Sequence, residues 1–454
     1  MSGDLWHWPA AGGAPLLSDA GFVTAMLRVE VTLARVQARL GLIPFEAAEA
    51  IALAAEGFAP DLGRLARDAA HAGSPAIPFV EALTAHVAAR DASAAGWVHL
   101  GVTSQDVVDT ALALCLQPAM AAIDQALGRA EAAAVASTAR HAAAPVLART
   151  LMQPAGVVTI GFKTAHWACA LSHVRQRLAR SMEQGLCVSL GGATGALAAY
   201  ADAGETLRAA LAGELGLRDP MASWHTRREG LVGCAADAGL AGGAMRKIAR
   251  DLSLMMQAEI GEAQEPAAAG RGGSSAMPHK RNPVLCLRVL ACLQPVPGIV
   301  AALMDGMAQE HERGLGTWQS ELGLCRDLVE NVHAAAAALA ELLEGVRFDP
   351  RRCRENIEAT HGLIFSEPLA ALLAPALGRA VAQALVGAWC AEAATSGRHL
   401  REVAVQRLAE RSGSTLSAAQ IGQAFDVDHA AAPAARQAHA LVDWLGAPQP
   451  GTVN

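Results

Sequence analysis

Residue types that could do chemistry gather in a few short strings of this chain. In the stretch Gly272 to Pro283, two adjacent glycines let successive backbone N–H groups point inward, and such nests bind anions. Lys280 and Arg281 add positive charge, while Asn282 as an N-cap with Pro283 at the first helical position predicts a helix whose dipole adds more. A serine held there, Ser274 or Ser275, could have its alkoxide stabilised enough to act as a base. Met277 lies in the same loop. The competing reading is a flexible linker with incidental serines.

A second string, His99-Leu100-Gly101-Val102-Thr103-Ser104-Gln105-Asp106, stands directly before Val107, Val108, Ala111 and Leu114 at helical spacing. Thr103 and Asp106 resemble a capping pair, which would explain two of these residues without function. His99, Ser104 and Gln105 remain as extra donors at a helix start suited to a carboxylate. A third, Arg149 to Pro154, carries Thr150 and Gln153 and taken alone reads as a loop. Trp224-His225-Thr226-Arg227-Arg228 and Gln309-Glu310-His311-Glu312-Arg313 concentrate imidazole and guanidinium, whose default is surface charge. Arginine forks nevertheless hold planar carboxylates at two points, so His225, Arg228 and Arg313 count as candidates.

The elements that must position these strings are helices. The 454 residues are 52% hydrophobic but only 4% aromatic, with Ala and Leu where a sheet protein would spend Val, Ile, Thr and Tyr. The length predicts two or three domains. Ala238, Ala241, Met245, Ile248, Leu252 and Met255 follow the seam of a long bundle helix, and Glu259 and Glu262 continue it into a solvated end, the preferred reading, or toward a polar site. Pro295 and Pro297 should break the helix after Asn282, and the chain from about Val346 reads as a separate cap.

A formal net charge of -7 argues against nucleic acid as a partner. The nine cysteines lack metal-ligand spacing and read as reduced core thiols, so no metal is expected. No signal-peptide pattern opens the chain, and no uncharged apolar run reaches about 18 residues. A cytoplasmic protein with no membrane partner is the expectation.

Gly273-Ser274-Ser275-Ala276-Met277-Pro278-His279-Lys280-Arg281-Asn282-Pro283 resembles the GSSxMPxKxNP loop of the fumarase/aspartase superfamily. His99 to Ala111 is similar to a second block of that family, and Arg149 to Ala155 stands where the third is expected. The resemblance covers nearly the whole chain. It implies an all-α fold in three domains, 1–110, 111–345 as a central long-helix bundle, and 346–454 as a C-terminal cap. It also implies a homotetramer whose active sites are shared between subunits, without metal or organic cofactor.

Two branches resemble the chain most, adenylosuccinate lyase and 3-carboxymuconate cycloisomerase. The lyase branch would carry a histidine where this chain has Leu151, and a Thr-Arg-His-Asp string near Ala70 to Pro78. The cycloisomerase branch fits better at Gly73 to Pro78, Ser189 to Gly195, Trp224 to Thr226, and Gln309 to Arg313 with Trp318. Departures are Pro154, Gly156, Gly230 and a cap without Tyr-Leu-Gly near His429. That branch implies lactonisation of a small tricarboxylate, with a proton delivered beside a carboxylate. Ser274 would then transfer the proton, and Lys280 or His99 could act as the acid. Thr103, Ser104, Gln105, Thr150, Gln153, Ser275, Met277, Asn282, His225, Arg228 and Arg313 would bind substrate. A catalytically silent structural homologue is the alternative from another class: the loss at Leu151 favours it, and the intact Ser274 loop argues against it.

Overall fold

The structure, a computed structural model, describes residues 16–273, 276–411 and 416–447. It is helical throughout apart from two short two-stranded ribbons. By internal contacts the chain forms two compact units, each drawn from three stretches. The first holds residues 1–127, 173–246 and 288–338, and the second 128–172, 247–287 and 339–454. Four long helices, Ser104–His141, Ile160–Gly185, Glu229–Met255 and Thr317–Gly345, supply residues to both, so this division differs from consecutive domains.

The first unit contains the helix Asp19–Arg39, started by Ser18, whose hydroxyl accepts the Gly21 N–H at 3.1 Å. Met26, Val29, Leu33 and Val36 are buried along it at 3-4-3 spacing. Two polar residues on the same helix, Glu30 and Gln37, are also buried. Seven residues apart, they share a face. In Ser104–His141, 38 residues long, Val107, Val108, Ala111 and Leu114 are buried as their spacing required. Only half of the expected capping pair forms: the Asp106 carboxylate accepts the Thr103 N–H at 3.0 Å, while the Thr103 hydroxyl accepts from Arg313.

The seam from Ala238 to Met255 is buried throughout, but its helix ends at Met255. Glu259 is exposed as expected of a solvated end. Glu262 is not: it is fully buried in the second unit, where Arg149 grips both its oxygens at 3.2 and 3.0 Å and Asn356 donates at 2.9 Å. The expectation failed because the helical period was extended past the helix. Asn282 likewise does not cap the next helix, Val284–Cys292. Its free N–H groups on Leu285 and Cys286 donate to the Glu265 carboxylate at 3.0 and 2.8 Å. A distant carboxylate has taken the place of the local cap, and the positive end of the helix already faces a negative charge. The proline break holds, with a second helix at Val296–Asp305.

Also in the second unit, Pro145–Thr150 and Gln153–Thr159 pair antiparallel around the tip Leu151-Met152. Both tip residues have positive φ, 49° and 67°, in a turn that usually takes Asn-Gly. Leu151 is 96% exposed. A core in this unit includes Leu369, Leu373, Val386, Trp389, Leu400 and Val403 from the C-terminal stretch together with Leu147 of the ribbon. Among the described residues the helix Ser104–His141, and the stretch Val284–Asp305 if its two helices are taken together across the proline break, are long and apolar enough to cross a membrane. Burial within the fold accounts for the first, whose apolar window is 72% covered.

Candidate active site

In the first unit, the start of Ser104–His141 organises a buried polar network. Asp109 and Glu321 both hold Arg228, with Asp109 accepting from its two terminal nitrogens at 2.8 and 3.0 Å. Trp318 donates its indole N–H to Asp109 at 3.0 Å, and Arg228 lies 4.4 Å over the Trp224 ring. Burial alone would weaken the hold of Arg228 on its proton, but the two carboxylates more than restore it and the guanidinium is shifted upward. Burial also lifts Glu321 above the usual carboxylate range, an effect that Arg228 only partly offsets.

One turn earlier, Asp106 accepts from Gly191 and Gly192 N–H at 2.9 Å each and from His225 Nε2 at 2.7 Å. Gln105 donates to the His225 carbonyl at 2.8 Å. Arg228, His225 and Gln105 are therefore buried struts whose donors are directed at the protein. Gln105 Oε1 and His225 Nδ1 are buried without a hydrogen-bond partner among the described residues. Asp109 and Glu321 were missed because their link to Arg228 spans 119 and 93 residues. The available signal was Asp109 itself, three residues after Asp106 within the same polar string.

A second group in this unit is open. The Arg313 guanidinium donates to the Thr103 hydroxyl at 2.7 Å and to the Ser104 hydroxyl at 3.3 Å. Each hydroxyl, accepting from Arg313, keeps its own O–H to donate. Among the described residues no carboxylate pairs with Arg313, so a cation and two hydroxyls stand together at a helix start, where the Asp106 carboxylate accepts the Thr103 N–H but not Arg313. His99 precedes this group with φ 61°, its Nδ1 2.6 Å from the Glu30 carboxylate. Its backbone is pinned by Leu100, whose carbonyl accepts from Tyr200 at 2.6 Å and Gln37 at 2.9 Å. Gly101 follows at φ 75°, where a Cβ would lie 2.6 Å from the Tyr200 ring, so only glycine fits.

The second unit carries the remaining candidates. Thr150 and Gln153 face each other across the ribbon tip. Gly272, at φ 72°, accepts the Asn282 N–H at 2.8 Å, and a Cβ there would meet the Asn282 carbonyl at 2.7 Å. That contact closes the base of the loop, on which Met277 and Lys280 are exposed. Ser274 and Ser275 lie outside the described residues. A titratable group that sequence reasoning missed is Lys163, whose ammonium burial pushes below its usual range against the pull of Asp251 and Glu262. Among the described residues no group of three or more His, Cys, Asp or Glu could hold a metal ion.

Long helices dominate the chain, and polar strings precede three of them, Ser104–His141, Glu229–Met255 and Thr317–Gly345. Comparison with known proteins adds to this. Residues 17–298 match the family described as lyase. A 3-carboxy-cis,cis-muconate cycloisomerase of Pseudomonas aeruginosa is 42% identical over 93% of this chain and 92% of its own. A nitrosuccinate lyase of Streptomyces davaonensis is 41% identical over 87% of this chain and 85% of its own. The crystal structure of a 3-carboxy-cis,cis-muconate lactonizing enzyme from Pseudomonas putida superposes with a TM-score of 0.87 at 39% identity, covering 94% of this chain and 95% of that one. The chain belongs to this lyase family.

Proposed function

We propose that the protein is a cofactor-independent cycloisomerase that converts 3-carboxy-cis,cis-muconate to 4-carboxymuconolactone. The observation that carries this reading is the Arg313, Thr103 and Ser104 group, a built receptor for a carboxylate in a protein whose cycloisomerase relatives match nearly end to end. In the reaction, one substrate carboxylate oxygen bonds to a carbon of the conjugated diene. The π electrons move toward the carbon alpha to another carboxylate, whose oxygens take the charge as an aci-form dianion. A proton then reaches the alpha carbon. One carboxylate becomes an ester, so one proton is taken up per turnover.

Donors aimed at the developing dianion supply the acceleration, and Arg313 with the two hydroxyls has that chemistry. The reading gives His99 the part of acid in cyclisation and of base in the reverse direction, since one group must carry the proton both ways, with Ser274 and Lys280 as the other candidates for that part. Lys280, Asn282, Thr150 and Gln153 supply charge and donors for the remaining carboxylates, with Ser275 and Met277 in the same loop. We extend the proposal to a cytoplasmic homotetramer with shared sites. Unbridged cysteines support a reducing compartment, and exposed Leu240, Met304 and Met307 supply apolar surface for a second copy.

The test offers purified protein 3-carboxymuconate, nitrosuccinate and adenylosuccinate in parallel. Loss of the 3-carboxymuconate ultraviolet absorption with uptake of one proton supports the proposal. Turnover of either other compound instead moves the chain to an eliminating lyase, and turnover of none supports a silent homologue.

A further inference from the structure

We propose that Glu30 is the positioning residue that fixes the ring of His99 and presents its Nε2 as the proton-delivering atom. This rests on the proposed reading, in which His99 is the acid. Glu30 is almost fully buried on Asp19–Arg39, among Met26, Val29, Leu33 and Ala34. A carboxylate there is costly for a scaffold, where an apolar side chain would pack without desolvation. Its partner among the described residues is His99 Nδ1, at 2.6 Å. The His99 side chain is 21% exposed, against 1% for Glu30, and among the described residues Nε2 has no partner.

The chemistry follows from which nitrogen the carboxylate occupies. An Nδ1–H donating to Glu30 fixes the ring and leaves Nε2 as the atom through which a proton can pass. When the imidazolium delivers its Nε2 proton to the alpha carbon, the N–H bond breaks, the C–H bond forms and neutral imidazole remains on Glu30. Solvent then restores the proton that the reaction consumes. The backbone supports the same arrangement. Gln37, on the face of the helix that carries Glu30, holds the Leu100 carbonyl together with Tyr200, and so steadies the left-handed turn at His99. Other titratable groups nearby do not compete for this role. Burial pushes Tyr200 above the usual phenol range, and Asp106 is occupied by His225 and three backbone N–H groups.

Glu30→Gln keeps an acceptor for Nδ1–H and removes the charge. Its kcat should fall about tenfold or more while KM changes little, the scale of losing a group that orients an acid. In a His99→Gln background the same substitution should add nothing. Nitrogen-15 NMR of wild-type imidazoles, with the His99 signal assigned by its loss in His99→Gln, should show the Nδ1–H tautomer when neutral. A folded Glu30→Gln protein with unchanged kcat would overturn the proposal. So would a neutral wild-type ring in the Nε2–H form, and this wild-type measurement decides even where Glu30→Gln does not fold. Near-normal turnover by His99→Gln would instead refute His99 as the acid, while the NMR result would still judge whether Glu30 sets the ring.

Discussion

Two arginines of the first unit meet the start of the same helix and do opposite things. Arg228 is enclosed, with Asp109 and Glu321 taking its donors and Trp224 beneath its plane. Arg313 touches the Thr103 and Ser104 hydroxyls and, among the described residues, pairs with no carboxylate. The histidines divide in the same way, His225 buried on Asp106 and His99 partly exposed beyond Glu30. Residue type therefore does not tell an enclosed side chain from an open one, and on the proposed reading it is the open pair, Arg313 and His99, that meets substrate.

The contrast can be broken first on the enclosed side. Arg228→Ala should lower stability by about 3–5 kcal/mol, because it leaves the buried Asp109 and Glu321 carboxylates uncompensated. Thermal or urea unfolding checks this, and a loss below about 1 kcal/mol would show that solvent reaches those carboxylates. At the hinge between the two regions, Gly101→Ala should cost roughly 1–3 kcal/mol and reduce activity, since its Cβ would enter the Tyr200 ring and its φ is left-handed. Unfolding and kcat measured together test it, and an unchanged protein would show that the clamp on Leu100 is slack.

The smallest effect sharpens the comparison with a third histidine, in the second unit. His399 Nδ1 accepts the Arg401 N–H at 3.1 Å and caps the helix Leu400–Ala409. Burial first, and then Arg401, hold its pKa below the usual imidazole value against the opposing Glu358 and Glu402, with His361 also repelling the charge. The folded state thus prefers the neutral ring. Its stabilisation is full above about pH 6.5 and is lost as pH falls through the lowered folded value. Up to about 1 kcal/mol, the scale of one cap, should disappear over that fall. His399→Asn, which caps without titrating, should reduce the acid loss measured by thermal melts, and an identical acid loss would remove His399 as its source.

Much of this was legible in the sequence because it is local. The seam from Ala238 to Met255 repeats at helical spacing, the proline break after Leu293 needs only two residues, and the long loop strings resemble family blocks directly. What was not legible is pairing at a distance. Glu30 lies 69 residues from His99 in a helix with no motif, and Glu265 caps a helix from 20 residues away in place of the nearby Asn282. Glu262 was misread because a period was extended beyond the helix that imposes it. Arg228 and Arg313 looked alike in sequence because a string shows which groups are present, while only the fold shows which have been satisfied.

The most direct measurement is steady-state kinetics of Arg313→Gln on 3-carboxymuconate, with a thermal melt of the same preparation. The account predicts a protein as stable as the wild type to within about 1 kcal/mol, since Arg313 holds only hydroxyls, and a kcat/KM lower by about 10² or more, the scale of removing a donor to a developing oxyanion. A variant that melts normally and turns over at the wild-type rate would contradict it, placing the carboxylate receptor somewhere other than Arg313, Thr103 and Ser104.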